Sequence, residues 1–207
     1  MTHLEFTQRR TFSKEELMAC ANGTLVEDGP REMGRLPSPP LLMVDRVVDV
    51  QHNGNRGRIV AEQDVPIDAW YFWCHFRHDP VQPGCLGIEA IWQLMGLYLA
   101  IRGVDGSGRA LGCKEIEFTG QIRPHNRHVR YEIDITRFAQ LRNQNSAIAI
   151  GDGTLIVDGD PIYTVRQARV ATFGGIEYPD YPHRSRNGVG GLVARQPAPA
   201  KEVTVPC

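Results

Sequence analysis

The run from Leu86 to Ile101, LGIEAIWQLMGLYLAI, is apolar on nearly every side of a helix. It is shorter than the roughly 20 residues that a bilayer crossing needs, and it carries Glu89 and Gln93. A helix of that kind belongs inside a folded core. On both sides lie β-rich runs, at 41–50, 57–63, 110–118, 129–138, 146–157 and 161–173. Gly, Asn and Asp clusters punctuate them, and Asp158-Gly159 between two such runs is a hairpin signal. No alternation of strand and helix is present, so a parallel sheet is not expected. The pattern predicts an α+β fold, an antiparallel sheet wrapped around one long buried helix.

The rest of the chain adds boundaries. Ser13-Lys14-Glu15-Glu16 has the form of a capping box and predicts a short helix through Ala21, ending near Asn22-Gly23. Gly34 to Pro40 must be extended, because proline excludes helix for itself and its predecessor. From about residue 174 the chain turns proline-rich and loses apolar period, so 1–173 reads as the folded domain. Residues 174–207 read as a poorly ordered or surface-draped tail. The formal net charge of −1 across 207 residues implies no bulk attraction to nucleic acid or membrane. Cys20, Cys74, Cys85, Cys113 and Cys207 form no CxxC pair, which argues against a disulfide framework or a zinc site. The N-terminus lacks an apolar core of signal-peptide length, so a reducing cytoplasm is the expected compartment.

The densest chemistry lies in residues 70–93, WYFWCHFRHDPVQPGCLGIEAIWQ. His75 sits among aromatic residues, and a histidine held neutral is the usual general base. A core histidine bonded to a backbone carbonyl is the other reading. Pro83-Gly84 suits a helix start, where the first N–H groups lack internal partners and can meet a developing negative charge. An ordinary helix start would look the same. Glu89 has Gln93 four residues on, on the same helix face. Among apolar neighbours a carboxyl favours its protonated form, which suits a proton donor. Its alternative is a plain Glu–Gln hydrogen bond. Phe76, Val81, Pro83 and Trp92 are the candidate substrate-contacting residues, with Cys85 supporting beside Gly84.

These residues resemble the bacterial 3-hydroxydecanoyl-acyl-carrier-protein dehydratase/isomerase family. The resemblance runs from residue 11 to about 173. It is carried by LPSPPLLMVDRVV (36–48), WYFWCHF (70–76), DPVQPGCLGIEAIWQLMGLYL (79–99), GRALGCKEIEFTGQIRP (108–124) and VDGDPIYT (157–164). It implies a hot-dog fold and a homodimer whose two sites each take the histidine and the carboxylate from opposite subunits. By position, His75 would be the catalytic base, Gly84 the backbone donor to the thioester oxygen, Glu89 the catalytic carboxylate and Gln93 its support. The implied reaction is dehydration of a (3R)-3-hydroxyacyl thioester on acyl carrier protein, in fatty acid, polyketide or related lipid biosynthesis. It requires no metal or organic cofactor. Arg137, Arg142 and Arg169 fall at or near positions that face the acidic carrier protein. A solvated strand face is the plainer account of those three.

The chain departs from the family at Glu89, where the dehydratase/isomerase has aspartate and the dehydration-only relatives have glutamate. The extra methylene moves the carboxyl, and errors near 1 Å can cost about a hundredfold. Dehydration is therefore expected, with isomerisation of the trans-2 product to cis-3 reduced, absent or altered. His78 and Gln82 replace the usual Gly and Met near the pocket mouth, which points to a changed substrate. The competing functions are a hot-dog hydratase or thioesterase, and a non-catalytic acyl-binding or partner subunit of a synthase.

Overall fold

The computed structural model describes residues 1–141 and 146–175. In chain order the helices are α1 (His3–Gln8), α2 (Lys14–Asn22) and α3 (Gly84–Ile101), with a 3-10 turn at Trp70–Trp73. The strands are β1 (Arg46–Asn53), β2 (Arg56–Asp64), β3 (Ser107–Gly112), β4 (Glu115–Phe118), β5 (His128–Leu141), β6 (Ser146–Val157) and β7 (Asp160–Phe173). They form one seven-stranded sheet in the order β1-β2-β5-β6-β7-β3, with β4 also on β7. Every pairing is antiparallel. The α+β expectation therefore holds: the sheet curves around α3, which packs on β2, β3, β5, β6 and β7.

The apolar surface of α3 explains its place. By length and composition this helix could cross a membrane, yet most of it is buried inside the protein. Its residues that escape full burial include Cys85, Glu89, Trp92 and Gly96. At about 100° per residue these four fall within roughly 60° of one another, a single open stripe. The helix start comes close to β6 and β7 because Gly87 has no side chain. A Cβ there would stand 2.8 Å from Leu155 and 2.9 Å from Tyr163.

The sheet alternates as a two-sided sheet must. Ile59, Ala61, Val129, Tyr131 and Ile133 face the core. The opposite face carries an ion-pair lattice in which Arg46 and Arg130 meet Glu62, and Arg58 and Arg130 meet Glu132. The Asp158-Gly159 turn closes the β6–β7 hairpin with positive φ at both residues, 49° and 101°. Asp158 also accepts hydrogen bonds from the backbone of Arg127 and His128, so this turn anchors the start of β5.

Several expectations need correction. The single strand foreseen at 110–118 is two, β3 and β4, broken at Cys113-Lys114, so five strands follow α3 rather than four. The first strand begins at Arg46 rather than Leu41. Two short pieces went unforeseen, the 3-10 turn and α1. The latter has its own capping box from Thr2 and Glu5. Helix α2 follows its capping box as expected and ends at Gly23 with φ 71°. Strand β7 ends at Phe173, and the proposed tail beyond Gly175 lies outside the described residues.

Candidate active site

His75 sits just after the 3-10 turn, in a loop fastened at both ends. Its N–H donates to the Tyr71 carbonyl at 2.9 Å, and the Val81 N–H donates to the His75 carbonyl at 2.8 Å. The ring closes the same loop, with Nδ1 2.9 Å from the Val81 carbonyl oxygen. A carbonyl only accepts, so Nδ1 carries the hydrogen and Nε2 of the neutral ring keeps its lone pair. Phe76 stacks near this ring, with centroids 3.8 Å apart. Asp79 braces the loop from outside through an ion pair with Arg123 at 2.7 Å.

The loop runs directly into α3. Pro83 is the N-cap and Gly84 the first helical residue. The Gly84 N–H has no acceptor within its helix. A Cβ at Gly84 would come within 2.7 Å of the Phe118 ring, so any larger residue here requires that half-exposed ring to move. His75, Phe76, Val81, Gly84, Cys85 and Trp92 all line one cleft of about 760 Å³. Residues Ile116, Phe118 and Tyr163, which the sequence did not single out, complete much of its apolar wall.

Glu89 faces elsewhere. It lines a second, smaller cavity of about 230 Å³ with Gln93, Trp92, Arg35 and Arg109. Gln93 is nearly buried and donates to Glu89 Oε1 at 3.1 Å. Gln93 Nε2 also donates to the Leu41 carbonyl at 2.7 Å, and its Oε1 accepts the Met43 N–H at 3.0 Å. The glutamine thus ties the loop before β1 to the core helix and holds the carboxylate as well. Within one chain His75 and Glu89 share no cavity, and Trp92 borders both.

Arg137 and Arg169 are exposed and lie on one rung of the sheet, each paired to Ile150 of β6. Two strand spacings set them about 10 Å apart on one face. Neither forms an ion pair among the described residues. Arg142 lies outside the described residues. Among the described residues no three His, Cys, Asp or Glu side chains gather as a metal-binding group.

An antiparallel sheet wrapped on a single buried helix, with the candidate residues at the helix start, defines a hot-dog protein of the dehydratase and thioesterase kind. The match of residues 36–166 to the FabA-like domain shows that the chain belongs to that family. Solved structures with a similar fold are distant. An uncharacterized protein from Erwinia carotovora subsp. atroseptica is 19% identical, with a TM-score of 0.38 over 61% of this chain and 92% of its own. The dehydratase heterocomplex ApeI:P from Xenorhabdus doucetiae is 13% identical, with a TM-score of 0.45 over 66% and 84%. A hypothetical thioesterase with coenzyme A from Streptococcus pneumoniae is 12% identical, with a TM-score of 0.44 over 61% and 84%.

Proposed function

We propose that this protein dehydrates (3R)-3-hydroxyacyl chains on acyl carrier protein to trans-2-enoyl chains. The observation that carries this reading is the His75 ring. Its Nδ1–H is bonded to Val81, its Nε2 is left basic, and it borders the same cleft as the helix start at Gly84. Nε2 takes the C2 proton, the Gly84 N–H stabilises the enolate-like thioester oxygen, and the Glu89 carboxyl protonates the departing C3 hydroxyl. Water leaves and the C2–C3 double bond forms. Preorganised donors and positioned acid–base groups are the expected sources of rate.

One chain does not bring His75 and Glu89 to one cavity. That supports a homodimer in which His75 of one subunit works with Glu89 of the other. The open stripe of α3 and the edge formed by β3 and β4, where Leu111 on β3 and Ile116 and Phe118 on β4 are exposed, fit such a partner. Arg137 and Arg169 provide a basic landing site for the acidic carrier. The extra methylene of Glu89 favours dehydration over trans-2 to cis-3 isomerisation.

Product analysis with 3-hydroxyacyl-carrier substrates of several lengths tests the reading. The expected product is the trans-2-enoyl thioester, with turnover lowered at least about a hundredfold in His75→Ala and in Glu89→Gln. Release of free acid and thiol would instead indicate a thioesterase. Efficient cis-3 product from a trans-2-enoyl thioester would contradict the isomerisation claim.

A further inference from the structure

The His75 ring is oriented by a single peptide group. The Val81 carbonyl that takes its Nδ1–H belongs to the same planar unit as the Gln82 N–H. This peptide is trans, so the two groups point in opposite directions. On the far side the Gln82 N–H donates to the Ile122 carbonyl at 2.9 Å. Whatever turns this plane turns the histidine. The loop's other restraints lie at the surface, where Phe76 and Asp79 exchange backbone hydrogen bonds and Asp79 meets Arg123. Phe76 and Asp79 are both exposed, and an exposed ion pair contributes little.

Gln82 supplies the buried anchor. It is 1% exposed, and its amide turns inward to the Tyr131 hydroxyl. Tyr131 lies on β5 and is fully buried. Its hydroxyl gives its hydrogen to Gln63 Oε1 on β2 at 2.7 Å, so its oxygen is left to accept from the Gln82 Nε2–H. Strands β2 and β5 are paired, so the amide is tied to the sheet and not to another loop. Pro83 follows, and its ring fixes the next φ. The side chain of Gln82, its backbone N–H and Pro83 together hold the plane between Val81 and Gln82 against rotation.

We propose that Gln82 is a positioning residue that acts through the Val81 carbonyl to hold the His75 ring in its Nδ1–H form, with Nε2 free to take a proton. The role of Nε2 rests on the dehydratase reading, while the tautomer and its anchor stand on the bonds around Gln82 alone. An apolar side chain of like size would fill the same space but strand the Tyr131 oxygen and release the peptide plane. A neutral histidine freed from its carbonyl divides between two ring tautomers, and the Nε2–H form cannot act as a base at Nε2.

The test is nuclear magnetic resonance of the full-length protein with isotopically labelled histidine ring nitrogens, at a pH where the rings are neutral. The nitrogen shifts report which atom carries the hydrogen, and the signals lost in His75→Ala assign those of His75. Wild type should show the Nδ1–H form. Gln82→Met keeps the side-chain length and removes the amide, while Tyr131→Phe removes only the hydroxyl. Each variant, shown by melting curves to be folded, should convert His75 to a mixture of tautomers. Each should also lower kcat on 3-hydroxyacyl thioesters about tenfold or more, with KM changed less than about twofold. The double variant should be no worse than the worse single one, because both remove the same bond. Should one variant fail to fold, the other decides. An Nε2–H form in wild type overturns the proposal. So does an unchanged tautomer in the folded variants, whether or not kcat falls, because the amide would then serve stability alone or act elsewhere. A changed tautomer with undiminished turnover keeps this inference and rejects His75 as the base. Wild-type protein without turnover rejects the dehydratase reading and leaves the tautomer result to stand.

Discussion

At the scale of single residues, the site depends on groups whose freedom has been removed. Gly84→Ala would drive a methyl to 2.7 Å from the Phe118 ring and displace the helix start. It should lower both Tm and kcat/KM, and Phe118→Ala added to it should recover most of the lost Tm. Gln93 satisfies a buried N–H, a carbonyl and a carboxylate together. Gln93→Leu strands those partners and should cost about 2–4 kcal/mol by chemical denaturation. The residue types here were legible: an aromatic-flanked histidine, a Pro-Gly helix start, and a glutamate with glutamine four residues on. Gln93's bonds to Leu41 and Met43 were not legible, because the partners lie 52 and 50 residues away.

At the scale of elements, the outer face of the sheet holds its strands with charge. Glu132 is held below its ordinary 4.5 chiefly by its hydrogen bond from Arg130. Asp158 is held below its ordinary 3.8 chiefly by Asn126. Both groups bind protons less readily in the folded protein than in the unfolded chain. Their contribution is thus full above those ordinary values and is lost as pH falls through the lowered ones. Tm should be nearly constant above about pH 5 and fall below about pH 4. Glu132→Gln and Asp158→Asn should each flatten that fall in a pH series of melting curves. Element types followed from local signals, such as the Ser13 and Thr2 capping boxes and the Asp158-Gly159 turn. The break between β3 and β4 did not, because both pair with the same long strand and only the register on β7 separates them.

At the scale of the whole molecule, the proposed dimer gives the sheet edge a purpose. Leu111 on β3 is exposed and does not line the His75 cleft. Leu111→Lys should leave the fold of one chain intact, because an exposed position tolerates such a change within about 0.5 kcal/mol. It should shift the sedimenting mass toward the monomer and reduce dehydration in proportion. A variant that stays dimeric and active would remove that edge from the interface. What the sequence determined alone was the α+β class and the span of the core helix, since both follow from hydrophobic period and local turn chemistry. It also marked His75, Gly84 and Glu89 as candidates, by residue type and spacing. Only the tertiary structure decided that His75 and Glu89 face different cavities on either side of Trp92. Spacing along a chain sets what can lie on one helix face, while the wrapping of a sheet around that helix sets which side chains share a space.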